Sequence, residues 1–118
     1  MQNISVVAAS LCSSPNAPLP PPRTQAAFNR GINGVAATAK AWLITSGSDA
    51  GVMKLVGEAV AKSERSVPLI GIFPWGATNC RERLHDAIGK AAPYGKATPP
   101  SRDGAPLNCH HTHFVLVD

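Results

Sequence analysis

The strongest candidate for ligand chemistry is the segment SGSDAG, residues 46–51, which combines two glycines with hydroxyl and carboxylate side chains. It separates an apolar run from an amphipathic one, so we predict a turn between a strand and a helix. Ligands of open α/β sheets bind beyond the carboxyl ends of the strands, and the free N–H groups of a helix N-terminus attract phosphate. This pattern favours a phosphate-bearing ligand, with an ordinary strand-to-helix turn as the alternative.

Further candidate groups lie close to this turn or after the next apolar run. Lys54 is one turn inside the predicted helix, where it could reach a phosphate or simply lie on a solvated face. Gly76 permits a bend in the second loop, where Trp75 could stack on a base or pack into the core. Arg81 could pair with a phosphate or stay exposed.

Residues 108–113, NCHHTH, bring one cysteine together with three histidines. Adjacent ligands rarely fit one tetrahedral zinc site, and no CxxC or HExxH motif accompanies them. We therefore predict no metal and no cofactor. Instead, His111 and His113 are expected on one face of an incoming strand, bonded to neighbouring loops. The chain also lacks a nucleophile elbow and a paired-carboxylate set, so we predict no catalytic residue.

The elements that must position these groups alternate between strands and helices. Apolar runs predict four strands, at residues 4–9, 42–45, 67–73 and 113–117, and the first and third are expected to be buried. Helical spacing predicts helices at 24–39 and 49–62, with Thr24 and Asp49 as N-caps, and a short helix from residue 78 or 79 to 88. This order predicts a Rossmann-like, three-layer α/β domain with a parallel sheet and right-handed crossovers. Because a doubly wound sheet normally continues into a covering helix, we expect a domain truncated at its C-terminal end.

Length and composition set the boundaries of these predictions. The chain has 118 residues, enough for one domain, with a proline-rich loop at 11–23 and a second loop at 89–108. Three widely spaced cysteines do not form a disulfide framework and suit a reducing compartment. No apolar run approaches the roughly 20 residues that span a bilayer, so this segment is expected to make no membrane contact. Dispersed basic residues and 5% aromatic residues argue against nucleic-acid binding.

Several blocks in this order resemble the N-terminal homology region of melastatin-type TRP (TRPM) cation channels, which belongs to the SLOG superfamily of Rossmann-like nucleotide-binding domains. The blocks are AWLITSGSDA and GVMKLVGEAV at 41–60, VPLIGIFPWG at 67–76, NCRERL at 79–84 and HTHFVLVD at 111–118.

The resemblance implies a tetrameric, calcium-permeable or other cation channel as the parent protein, with this domain in the cytoplasm. It further implies binding of ADP-ribose or a related nucleotide, with roles in ligand gating and assembly. Carried over by position, the implied pocket comprises Thr45, Ser46, Gly47, Ser48, Gly51, Val52, Met53, Trp75, Gly76 and Arg81. Lys54, one turn inside the predicted helix, completes the set of candidate ligand-binding residues.

Two alternatives stay open. The family usually has glycine at the positions of Ala8, Ala9 and Ser46. The extra side-chain atoms at these positions would crowd a ligand. That departure favours a degenerate, non-binding assembly or interaction module. A nucleotide-processing hydrolase of the SLOG type is the other alternative, but the chain lacks a PGGxGTxxE-like motif.

Overall fold

The computed structural model of the chain describes residues 6–8, 18–64, 66–91, 94 and 104–118. Within them, four parallel strands form one sheet in the order β1-β2-β3-β4. The strands are β1 Val6–Ala8, β2 Trp42–Thr45, β3 Leu69–Pro74 and β4 His113–Val117; the helices are α1 Pro22–Ala39, α2 Gly51–Ala61 and α3 Arg81–Asp86, with a 3₁₀ turn at Trp75–Ala77. The predicted Rossmann-like α/β class with a parallel sheet is confirmed.

One face of the sheet carries α1 and α2. Leu43 of β2 and Leu69 of β3 are paired in register, and both are buried on this face. The helices close over them with a small set of aliphatic side chains: Ala36, Val56, Val60 and Val67 are buried, and Phe28, Ile32 and Val52 pack at the margin. Each fully buried aliphatic side chain stabilises the fold by about 1.5–3 kcal/mol, so this cluster is the main source of its stability.

The other face of the sheet is open in the described part of the chain. Trp42, Ile72, Val115 and Val117 are 40–49% exposed there. The expectation that the third strand is a buried run is therefore wrong for one of its faces. Right-handed crossovers between strands that follow one another in sequential order put successive helices on the same side. The described residues thus form the sheet and one helical layer of the three predicted layers.

Two predicted helix starts are wrong. Helix α1 begins at Pro22, inside the predicted proline-rich loop, and no side chain caps it. Proline is well suited to this position because its missing N–H would have no intrahelical partner there. Helix α2 begins at Gly51 after an extended Ala50 that makes no side-chain cap bond, so Asp49 is not its N-cap.

Other boundaries move by a few residues. Strand β3 is Leu69–Pro74 rather than 67–73, and α3 is limited to Arg81–Asp86 because a 3₁₀ turn and a left-handed Cys80 precede it. Strand β4 matches its prediction at both ends. The predictions at residues 4, 5, 9–17, 92, 93 and 95–103 lie outside the described residues.

A close approach between two glycines fixes the distance between the turn after β2 and strand β3. Gly47 lies directly over Gly71, and the ring of Phe114 covers both. An added Cβ at Gly71 would lie 2.6 Å from Phe114 Cε1 and 2.8 Å from Gly47 Cα. Gly47 also has a φ of +76°, which residues with a side chain rarely adopt. Both positions therefore require glycine.

We expect the Gly71→Ala substitution to lower the free energy of unfolding by about 2–3 kcal/mol, because neither backbone nor ring can yield without opening the core. Urea unfolding measures the change. The matched control is Gly34→Ala in α1, where an added Cβ meets no heavy atom within 4 Å. That control should raise stability by about 0.5–1 kcal/mol, the usual gain in an exposed helix. Equal stability of Gly71→Ala and the unaltered chain would contradict this packing.

Candidate functional site

The candidate site lies at the carboxyl edge of the sheet, where adjacent parallel strands β2 and β3 end. The loop after β2, residues 46–50, and the loop after β3, residues 75–80, both open there. A third segment, residues 104–111, contacts both loops, and we call it the strap. Its backbone pairs with residue 48 in the antiparallel sense and with residue 78 in the parallel sense. The strap therefore joins two loops that the sheet alone would leave independent.

Four short backbone hydrogen bonds hold the strap. On the β2 side, Asp49 N donates to Pro106 O at 2.8 Å, and Asn108 N donates to Gly47 O at 2.8 Å. On the β3 side, Ala105 N donates to Ala77 O at 2.8 Å, and Asn79 N donates to Ala105 O at 3.0 Å. These backbone groups of the two loops are thereby used within the fold.

The side chain of Asn108 is the centre of a buried polar network. It is 1% exposed, and its Nδ2 donates to Asp49 Oδ1 at 2.8 Å. Its Oδ1 accepts from His110 N at 3.1 Å and from His111 Nδ1 at 3.0 Å. A Cβ on Gly57 of α2 would collide with this amide. Because buried polar atoms cost free energy unless they are paired, Asn108 fits only where this whole set of partners is present.

The hydrogen bonds determine which nitrogen of His111 carries the proton. Asn108 Oδ1 can only accept, so His111 Nδ1 must be the donor. His111 Nε2 then accepts from Thr45 Oγ1 at 2.7 Å, and that hydroxyl accepts in turn from Gly47 N at 2.9 Å. The ring also stacks on Phe114, with centroids 5.4 Å apart. The network is therefore complete with a neutral imidazole.

Burial disfavours the charged form of His111 and lowers its pKa to about 4, with the charge of His110 acting in the same direction and that of Asp49 against it. Protonation at Nε2 would present a second N–H to a Thr45 oxygen that already accepts from Gly47. His111 is thus a structural group, held neutral across the physiological range.

The Tyr94 hydroxyl links the strap to the loop after β3 through two hydrogen bonds. Its hydroxyl donates to Asn79 O at 2.9 Å and accepts from Leu107 N at 3.2 Å. Burial raises the pKa of this phenol, which keeps the donor proton in place. Leu84, Leu107 and Phe114 line the same small cavity of about 220 Å³ beside it.

The structure brings the first group of predicted ligand residues to this edge, and most of them are engaged within the fold. Thr45 and Gly47 are buried in the His111 network, and Ser48 pairs with Leu107 of the strap. Met53 is buried, and Val52 packs on the core cluster. These residues shape the edge rather than present free polar groups to it.

The remaining predicted residues are more accessible. Ser46 is half-buried, with its hydroxyl 3.4 Å from that of Ser48. Lys54 is half-buried in the first turn of α2, which begins at Gly51 with a φ of +52°. Arg81 is exposed and donates from Nη1 to Gly76 O at 3.0 Å.

Trp75 is half-buried in the 3₁₀ turn, and Gly76 beside it is exposed, with no heavy atom within 4 Å of an added Cβ. The second loop therefore keeps space in front of Gly76. It also leaves the Trp75 side chain partly accessible.

Sequence reasoning missed the importance of Asn108 and Tyr94 and misjudged the histidines. His111 lies before β4 and is buried, whereas His113 is exposed at the start of the strand, so they do not share a face. The expected bonding of His111 to a neighbouring loop is confirmed. An asparagine three residues before a histidine is no recognised signal, because its meaning depends on Thr45, Asp49 and Gly57 far away in the sequence.

The described residues show neither a metal-binding cluster nor a helix that could cross a membrane. They contain no group of three or more His, Cys, Asp or Glu side chains arranged to hold a metal ion. Nor does any helix among them combine the length and apolar character needed to cross a membrane.

The chain is similar over most of its length to one known family of domains. Residues 12–118 match the family model described as SLOG in TRPM. The transient receptor potential cation channel subfamily M member-like 2 of Nematostella vectensis is 41% identical over 82% of the chain. Subfamily M member 2 of Rattus norvegicus is 41% identical over 81%, and member 7 of Homo sapiens is 37% identical over 82%. The chain spans only 5–7% of the length of these relatives.

We expect the free energy of unfolding to fall as the pH is lowered from about 6.5 towards 4. In that window the unfolded chain protonates His111 while the folded chain does not, so the unfolded state gains protons and is favoured. The contribution is no more than about 1.4 kcal/mol per pH unit. Urea unfolding at pH 7 and pH 5 measures it. His111→Gln should weaken this pH dependence, whereas His85→Gln, at an exposed position of α3, should keep it. The same slope in all three proteins would contradict the assignment.

Proposed function

The chain belongs to the SLOG domains of TRPM channels, and from that membership we propose that it is a nucleotide-binding regulatory domain. The proposed ligand is ADP-ribose or a related nucleotide, bound at the carboxyl edge of β2 and β3. In the parent protein, ligand binding would contribute to gating and assembly of a tetrameric cation channel, with this domain on the cytoplasmic side. The relatives are cation channels by name, which is the basis for the proposed parent.

The observation that carries the proposal is the fixed pairing of two loops at one edge of a parallel sheet. Carboxyl edges are where open α/β domains bind ligands. The strap ties residues 48 and 78 to one backbone segment, so both loops are preorganised. Preorganised loops lose little conformational entropy when a ligand binds.

The accessible groups at this edge are suited to a nucleotide. Lys54 and Arg81 supply positive charge for a diphosphate, and a guanidinium can bind phosphate through two parallel hydrogen bonds. Trp75 is half-buried, which leaves part of its ring for stacking against a base.

We expect ADP-ribose to stabilise the 118-residue chain, by about 2.7 kcal/mol when its concentration is 100 times Kd. Thermal unfolding and titration calorimetry measure the effect, and the nucleotide should be recovered unhydrolysed, since we propose no enzymatic activity. Lys54→Ala and Arg81→Ala should each weaken binding by roughly tenfold, the usual loss for a charge-assisted phosphate contact.

The matched control is Arg30→Ala, which removes an equal charge from an exposed position of α1. It should leave Kd unchanged. Absence of any thermal shift at millimolar ADP-ribose would overturn the proposal, and equal losses in all three variants would show nonspecific attraction of an anion to a basic chain.

A second candidate function is a non-binding assembly module, and the open sheet face favours it. Parallel sheets are normally covered on both faces, yet Trp42, Ile72, Val115 and Val117 are 40–49% exposed here. The occupant we propose is a second copy of the chain, because an uncharged apolar surface is complementary to itself in a two-fold contact. Identical domains also lie within one assembly in a tetramer.

This second function predicts that the chain self-associates as its concentration is raised. Val115→Lys should shift sedimentation towards the monomer, because a charge would be buried in the contact. Val35→Lys is the matched control, since Val35 is 47% exposed on α1 and Val115 is 49% exposed on β4. A chain that stays monomeric at all concentrations would exclude self-association.

A further inference from the structure

We propose that Asp49 is a specificity-determining residue that binds the vicinal diol of a ribose and keeps phosphate away from its own side of the site. This inference rests on the proposed nucleotide function and names the group that selects the sugar. It is based on the position of Asp49, whose half-buried carboxylate lies at the carboxyl edge of the sheet and accepts a hydrogen bond from the buried amide of Asn108.

The carboxylate is rigidly held at both ends of the residue. Asp49 N donates to Pro106 O of the strap, and Asp49 Oδ1 accepts from Asn108 Nδ2 at 2.8 Å. Asn108 is itself 1% exposed and bonded to His110 and His111. The position of Asp49 Oδ1 is thereby set by the core rather than by solvent.

Within the described residues, neither a helix cap nor an ion pair with lysine or arginine uses this charge. Helix α2 has Ala50 as its N-cap, and that end shows no side-chain cap bond. Among the described residues, no lysine or arginine forms an ion pair with Asp49, and the single salt bridge there joins His85 to Asp86. The Asp49 carboxylate engages Asn108 through Oδ1, and a partly desolvated carboxylate gains from further hydrogen-bond donors.

The chemistry of a carboxylate identifies the ligand group. It accepts hydrogen bonds only, so neighbouring hydroxyls on a ribose can donate to it, and charge assistance makes such bonds strong. The same negative charge repels phosphate. With Lys54 and Arg81 as the cationic groups of the proposed site, the sugar would lie at Asp49 and the diphosphate away from it.

The test is the Asp49→Asn substitution, because it changes one oxygen and spares the fold. An asparagine can keep its carbonyl oxygen towards Asn108 Nδ2, so thermal stability should hold, while the second oxygen becomes an NH₂ donor. We expect ADP-ribose affinity to fall by about tenfold or more, and inorganic phosphate affinity to stay equal or rise. Asp86→Asn, on an exposed carboxylate of α3, controls for the change in net charge and should leave both affinities unaltered.

A ligand-side measurement on the unaltered chain keeps the test independent of any folding defect in the variant. Analogues of ADP-ribose that lack the 2′- and 3′-hydroxyls of one ribose or the other are titrated separately. One of them should bind about tenfold or more weakly. Equal affinities for all three ligands, or an unchanged Kd in Asp49→Asn, would overturn the role of Asp49 while leaving nucleotide binding intact. Failure of the unaltered chain to bind ADP-ribose would overturn both proposals.

Discussion

The buried amide of Asn108 is the interaction on which the arrangement of the candidate site depends. Its two polar atoms reach the turn after β2, the imidazole of His111 and the backbone of His110, while Gly57 leaves space for it against α2. An unpaired amide in this position would cost several kcal/mol, of the order of the desolvation of an amide. The strap, the turn and α2 are therefore compatible in one arrangement only.

This constraint explains why the edge of the sheet is both rigid and partly filled. The strap uses backbone groups of Gly47, Asp49, Ala77 and Asn79 that a ligand would otherwise meet in an open edge. What it leaves accessible is a set of side chains, Lys54, Trp75 and Arg81 among them. The proposed ligand would therefore be recognised mainly by side chains, because the backbone groups of the two loops are already paired.

The two faces of the sheet are covered to different extents. One face is closed by α1 and α2 through aliphatic contacts, and the other presents Trp42, Ile72, Val115 and Val117. Because sequential right-handed crossovers put the helices on one side, α1 and α2 leave the opposite face uncovered in the described part of the chain. The proposed ligand site and the proposed assembly surface therefore lie on different parts of the domain and share no residues.

The fold class, the order of elements and the location of the site at the carboxyl edge follow from the sequence, because periodicity and turn chemistry are local properties. Strand β4 is predicted at both ends, and the blocks around residues 41–60 and 67–76 identify the family. The sequence does not show that Thr45 binds His111, that Asp49 binds Asn108 instead of capping α2, or that one face of β3 is open. The two hydrogen bonds join residues 66 and 59 positions apart, and the open face depends on the side of the sheet that the crossovers take. Local sequence patterns contain neither kind of information. The sequence by itself determined a parallel α/β scaffold of the SLOG family; the tertiary structure decided which polar groups form the internal hydrogen bonds and which stay accessible.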